Sequence, residues 1–198
     1  MNITRKTWPP MVLVLAILVG FSVEFLGKEN YEFLIYIAMI VLLMWLMLFI
    51  NSRQPLPQYL FWGFALWAFL HLGGGGMDYD GARLFDWIIF PLSDTYPILR
   101  YDQVVHLFAY AVITVILFYS LRSYFPNSKK GQRVFSLVLL SMGLGIGAFY
   151  EILEFLTTIV VPENGVGGYI NNALDLVFDF FGVMLATLFV RLFLMEKE

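Results

Sequence analysis

Residues Tyr31–Ile50 read YEFLIYIAMIVLLMWLMLFI, twenty residues with one charge, Glu32. At 1.5 Å per residue such a helix covers about 30 Å, the thickness of a bilayer's hydrocarbon core. The run alone marks a membrane span. Similar runs lie on both sides of it. Over the 198 residues 60% are hydrophobic and 14% charged, with mean hydropathy +0.78. A soluble domain carries roughly 25% charged residues.

Six spans are expected, at about 10–26, 31–50, 59–72, 101–121, 134–160 and 173–193. The fold class is therefore all-α, a polytopic six-helix membrane bundle forming one domain over 1–198. The third span is short. The fifth, about 40 Å long by helical rise, must tilt or project. Met1–Gly20 carries Arg5 and Lys6 before an apolar run. It reads as a first span and not a cleaved leader, because no small-x-small site follows and Glu24 and Lys28 close it.

A net charge of −3 gives no basic patch for nucleic acid. The absence of cysteine excludes disulfides, thiolate metal sites and thiol nucleophiles. Ser22 and Thr157 have no evident base beside them.

Orientation follows from Lys and Arg. With the N-terminus inside, Arg5, Lys6, Arg53, Arg122, Lys129, Lys130, Arg133, Arg191 and Lys197 fall inside. Only Lys28, Arg83 and Arg100 fall outside. The expectation is a multi-pass protein of the cell membrane with both termini cytoplasmic. Of the carboxylates, only Glu196 and Glu198 then lie inside. Both histidines, His71 and His106, lie on the outer side.

Two connections stand out. The outer one, Gly73–Arg100, opens with four glycines, which should end a helix. It continues through Leu84–Pro91, too short to span and apolar enough to lie in the interface or dip back as a re-entrant piece. The other is Pro162–Asn172, where Glu163-Asn164-Gly165-Val166-Gly167-Gly168 reads as a flexible turn. Gly143-x-x-x-Gly147 in span five reads as a close-approach stripe. Trp8 and Tyr59 read as interfacial aromatics.

The informative residues are the ionisable ones inside spans. Asp102 and His106 open span four at spacing i, i+4; Glu151 and Glu154 sit near the outer end of span five at i, i+3; Asp175 and Asp179 open span six at i, i+4. Each pair shares one helix face. All lie between the outer interface and about 13 Å below it. Such groups cost about 2.5–3.5 kcal/mol each at mid-bilayer and normally face a bundle interior or a wet cavity. One polar pocket lined by these six and His71, with Asn171 and Asn172 at its rim, is the expectation.

Three uses compete for it. Carboxylates and imidazoles on facing helices can hold a metal, as in di-iron bundles. Two histidines with several carboxylates suit Zn, Mn or Fe better than Mg, with His71, His106, Glu154 and Asp179 as candidate ligands. The same groups can do metal-free acid–base work, with Asp102, His106, Glu151, Glu154, Asp175 and Asp179 as candidate catalytic residues. Membrane lipid or a lipid-linked substrate is the expected partner. A proton-coupled or small-molecule transporter is the alternative, though it should show broken helices in an inverted repeat. The blandest reading is a scaffold whose pairs only fix helix register. Asp102 and Asp175 also suit plain helix capping, and Asp78, Asp80, Asp86 and Asp94 suit solvated loops.

The stretch Arg100-Tyr101-Asp102-Gln103-Val104-Val105-His106 resembles the YDxxvH signature of the uncharacterised YjdF-type bacterial membrane proteins. It is also similar to the DKxxHFxxY motif of VanZ-like proteins, with Tyr110 as the final tyrosine. Tyr150–Glu154 resembles their E-x-x-E/Q helix, and Asn172–Gly182 their closing D-x-x-x-N/D-x-x-G element. His71 with the glycines, and Arg83–Trp87, fit the YjdF-type pattern. The resemblance covers residues 59–193 and implies that the three acidic elements belong to one site. Where VanZ-like proteins carry a PGR turn, this chain has Pro162-Glu163-Asn164.

Overall fold

The structure is a computed structural model that describes residues 7–160 and 168–195. Six helices carry it: α1 Trp8–Gly27, α2 Tyr31–Arg53, α3 Gln58–Gly76, α4 Tyr101–Leu121, α5 Lys129–Val160 and α6 Gly168–Phe189, which runs on as a π-helical turn over Val190–Leu194. Arg5, Lys6, Lys197, Glu196, Glu198 and most of the turn read at Glu163–Gly168 lie outside the described residues.

Among the described residues five helices are long and apolar enough to cross a membrane. The one that falls short is α3, whose 19 residues include Gln58, His71 and the four glycines. The protein is thus an all-α membrane protein with at least five helices suited to spanning.

The packing divides into two groups joined by α3. Helices α4, α5 and α6 contact one another, α1 and α2 pair, and α3 lies against α1, α2 and α4. Small residues set the closest approaches. A Cβ on Gly182 would overlap the Leu107 carbonyl oxygen, so α6 presses directly on the α4 backbone. The α5 stripe behaves as its spacing suggests: a Cβ on Gly143 would come within 2.7 Å of Val183, and one on Gly147 within 2.8 Å of Asp179 Oδ2.

The four glycines do not end α3. The helix runs through Gly76, and neighbouring rings occupy the space that side chains at Gly74, Gly75 and Gly76 would need. A Cβ on Gly75 would fall inside the Phe33 ring, and one on Gly74 would overlap Phe85. At Gly76 the ring is Phe21, 2.8 Å from an added Cβ. Burying aromatic surface against bare backbone outweighs the roughly 1 kcal/mol per residue that glycine costs a helix. Lys28, just past α1, donates to the Gly76 carbonyl at 2.9 Å and to Glu24 at 2.9 Å.

The connection after α3 is extended rather than helical. A two-stranded hairpin, β1 Asp78–Tyr79 with β2 Ala82–Arg83, turns at Asp80-Gly81. Both turn residues have positive φ, as a two-residue Asp-Gly turn requires. A single 3-10 turn, Leu84–Asp86, follows. The chain then doubles back so that Ile88 bridges Arg100. Trp87, Ile88, Ile89 and Phe90 stay exposed. Asp78, Asp80 and Asp94 are exposed as well, and Asp86, also exposed, meets Arg100 at 3.3 Å. Glu32, in the first turn of α2, is buried and faces Arg83 at 3.5 Å.

The start of α4 is fixed by Gln103, which is fully buried. Its amide oxygen accepts from the Leu99 and Arg100 backbone N–H groups at 2.7 and 3.0 Å, and its amide nitrogen donates to the Pro97 carbonyl. Leu99 is held at φ 67, a conformation uncommon for a residue with a side chain. This anchoring sets the register that aims Asp102 and His106 inward.

Candidate functional site

The three acidic helix faces converge. His106 is 4% exposed and stands at their meeting point. Its Nδ1 lies 3.0 Å from Asp179 Oδ1 and 3.4 Å from Glu151 Oε1. Its Nε2 lies 3.7 Å from Asp102 Oδ1. Helices α4, α5 and α6 each supply part of this shell, because each places its ionisable residues on one face at helical spacing. Gly147 is the local reason that Asp179 can reach the imidazole past the α5 backbone.

Asn171 and Asn172, expected at a rim, are inside the network. Asn171 donates to Asp175 Oδ2 at 2.6 Å and to Asp102 Oδ2 at 3.3 Å. Its oxygen accepts from Arg100 Nη1 at 3.0 Å. Asn172 donates to the Glu151 carboxylate. Arg100 thereby ties the cluster to Asp86 of the outer connection.

Two trios have ligand atoms mutually within 4.8 Å: Asp102, His106 and Asp175, and His106, Glu151 and Asp179. His106 belongs to both. Three carboxylate oxygens of this shell, on Glu151, Asp175 and Asp179, are buried with no hydrogen-bond partner among the described residues. Leaving a buried polar atom unpaired costs about 1–3 kcal/mol. Four carboxylates around one imidazole cannot all be charged at such distances unless protons or a cation enter with them. The arrangement can therefore hold a cation or share protons.

Two of the candidate residues stand apart. Glu154, on the same face of α5, is buried but belongs to neither trio. His71, also 4% exposed, lies among rings. Trp67 stacks on it at 5.5 Å, Tyr36 meets it edge-on at 5.4 Å, and Phe85 is 5.6 Å away. Of the metal set read from sequence, His106 and Asp179 come together, while His71 and Glu154 remain outside the trios.

Asp102 sits in the first turn of α4, as its capping role suggests. Asp175 does not cap α6, which begins at Gly168, two turns earlier. Tyr150 escaped the sequence reading as a site residue. Its hydroxyl lies 3.4 Å from His71 Nε2, and its ring meets His106 edge-on at 6.2 Å. The signal was its position next to Glu151. Tyr110, four residues after His106, stacks at 6.2 Å on the imidazole.

Residues 9–196 match the family described as Predicted membrane protein (DUF2238). The chain belongs to this family. The match takes in all six helices and every residue of the cluster, and five apolar helices agree with a multi-pass membrane assignment. No curated protein and no solved structure matches the chain.

Proposed function

We propose that this DUF2238 protein is a metal-assisted enzyme of the cell membrane that acts on an envelope lipid or lipid-linked substrate at the His106 cluster. The observation that carries the proposal is the trio His106, Glu151 and Asp179, whose ligand atoms lie within 4.8 Å of one another beside buried carboxylate oxygens that have no hydrogen-bond partner among the described residues. Metal-binding histidines use one ring nitrogen and direct the other at a carboxylate. Here Asp102 is the carboxylate on the Nε2 side, 3.7 Å away, which leaves Nδ1, Glu151 and Asp179 as donors to a cation. Donors on a tetrahedral ion with bonds of about 2.0–2.1 Å stand roughly 3.3 Å apart, and Nδ1 stands 3.0 and 3.4 Å from the two oxygens. Zn, Mn and Fe are the ions whose preferences this donor set meets.

The ion would polarise a substrate oxygen and Asp175 or Glu154 would exchange a proton with it. Without an ion, the same Asp179–His106 pair supports acid–base catalysis, with Asp179 orienting the imidazole. The proposal includes both termini in the cytoplasm and the cluster towards the outside. It is supported by Arg53, Arg122, Lys129 and Lys130, which sit at the ends of α2 and α4 and the start of α5. It also includes six crossings, with α3 sheltered by its neighbours, and kinship with the YjdF-type and VanZ-like proteins.

The test is metal analysis of protein purified in mild detergent. Stoichiometric Zn, Mn or Fe is expected in the wild type and loss of it in His106→Ala and Asp179→Asn. Wild-type protein that retains no metal at neutral pH would remove the metal reading and leave proton chemistry alone. Electrogenic uptake by proteoliposomes, abolished by the same variants, would replace the enzyme with the transporter.

A further inference from the structure

A recess of about 220 Å³ opens between α2 and the α3–α4 pair. Met47 and Ile50 of α2, Phe64 of α3 and Ile116 and Leu117 of α4 line its deep part. A smaller cavity of about 50 Å³ adjoins it, and Leu43, Trp67, Ala109, Ile113 and Ile146 line both. The far end of that second space is formed by His106, Tyr110, Tyr150 and His71. The two apolar spaces thus share these five residues, and the second reaches the edge of the polar cluster.

Met47, Phe64, Trp67 and Ala109 form its buried wall, each under 9% exposed, and the other lining residues are half-buried or, at Leu46, exposed. Leu46, 42% exposed, marks a lateral mouth on the α2 side. Its deep walls are hydrocarbon and aromatic, so water would find no partners there. A helix about 10 Å across would need several times the recess's volume of about 220 Å³ over the same length. From His106 to Leu117 is eleven residues of α4, about 16 Å by helical rise. That is close to the roughly 15 Å of one leaflet's hydrocarbon.

We infer that the recess seats one hydrocarbon chain of a membrane amphiphile, delivering the oxygen-bearing head of that molecule to His106. The chain enters sideways past Leu46 and lies along α4 with its end beside Leu117. Its head stops where the apolar walls give way to His106, Tyr110 and Tyr150. The identity of the head rests on the function proposed above, whereas the seat for the chain does not.

The test uses nanodiscs of phosphatidylcholine in which one acyl chain ends in a photoreactive diazirine. Crosslinks are expected to concentrate on the Met47–Ile50 and Ile116–Leu117 peptides. Filling the recess with Ala109→Trp should bring them down to the level seen on the outward face of α1, whose own labelling stays unchanged. Leu46→Trp, at the exposed mouth where folding tolerates bulk, should give the same loss should the first variant not fold. Label spread evenly over the lipid-facing helices, insensitive to both variants, would show annular lipid only and overturn the inference. Metal content is measured on the same samples. Focused label without bound metal leaves the seat standing and removes the metal reading; bound metal with diffuse label removes the seat alone.

Discussion

Two histidines, equally buried, live in opposite surroundings. His71 is packed by Tyr36, Trp67 and Phe85, where shape decides what fits. His106 is packed by Asp102, Glu151 and Asp179, where charge decides. Tyr150 touches both. The ring region should tolerate loss of polarity and resist added volume. The acidic region should tolerate neither loss of its single imidazole nor loss of a carboxylate partner.

The largest effect is expected at His106. His106→Ala leaves buried carboxylates facing each other, and breaking such a set costs about 3–5 kcal/mol. Thermal unfolding in detergent and metal content should both fall. His71→Phe keeps a ring of similar size and should cost under about 1.5 kcal/mol, with metal content unchanged. Equal losses for the two would erase the contrast.

Volume should reverse the order. Gly75→Ala pushes a methyl into the Phe33 ring and should cost about 1–3 kcal/mol. Phe33→Ala in the same chain should recover part of that loss, seen as a non-additive double-mutant cycle. Additive losses would mean that the ring is not what forbids a side chain there.

At the junction, Tyr150→Phe removes one hydroxyl and keeps the ring. A loss of about 0.5–1.5 kcal/mol is expected, with metal retained. Glu154→Gln, outside both trios, should likewise keep its metal where Asp179→Asn does not. Metal loss in Glu154→Gln would return that residue to the ligand set.

The smallest effect lies away from both histidines. Glu24, hydrogen-bonded at 2.9 Å, raises the Lys28 ammonium above its ordinary pKa of 10.5. A group raised on folding stabilises fully below its unfolded pKa and loses that contribution as pH climbs through the folded one. Lys28→Met should therefore cost about 0.2–1 kcal/mol at neutral pH, a difference that vanishes in strong alkali. A difference that persists there would assign the effect to the lysine stem or to its donation to the Gly76 carbonyl.

Much of this was legible in the sequence because hydrocarbon makes ionisable side chains conspicuous. Asp102 with His106, and Asp175 with Asp179, announce a shared helix face by spacing alone, and the faces do meet. What spacing cannot give is distance across helices. It could not tell that Glu151 turns to His106 while Glu154, one turn on, does not, or that rings claim His71. The glycine run misled for a related reason. Propensity describes an isolated helix, whereas Gly74–Gly76 owes its order to Phe21, Phe33 and Phe85 on other segments. Asp175 reads as a helix start because the strongly apolar run begins near Ala173, and Tyr169, Asn171 and Asn172 hide the two turns before it.

That glycine turn has a mechanical consequence. It has no side chains with which to stiffen itself, so its rigidity is on loan from α1, α2 and the outer connection. Any movement that withdraws Phe33 or Phe85 would slacken the last turn of α3 and, through it, the wall that holds His71. The last turn of α3 is thus stiffened from outside its own helix.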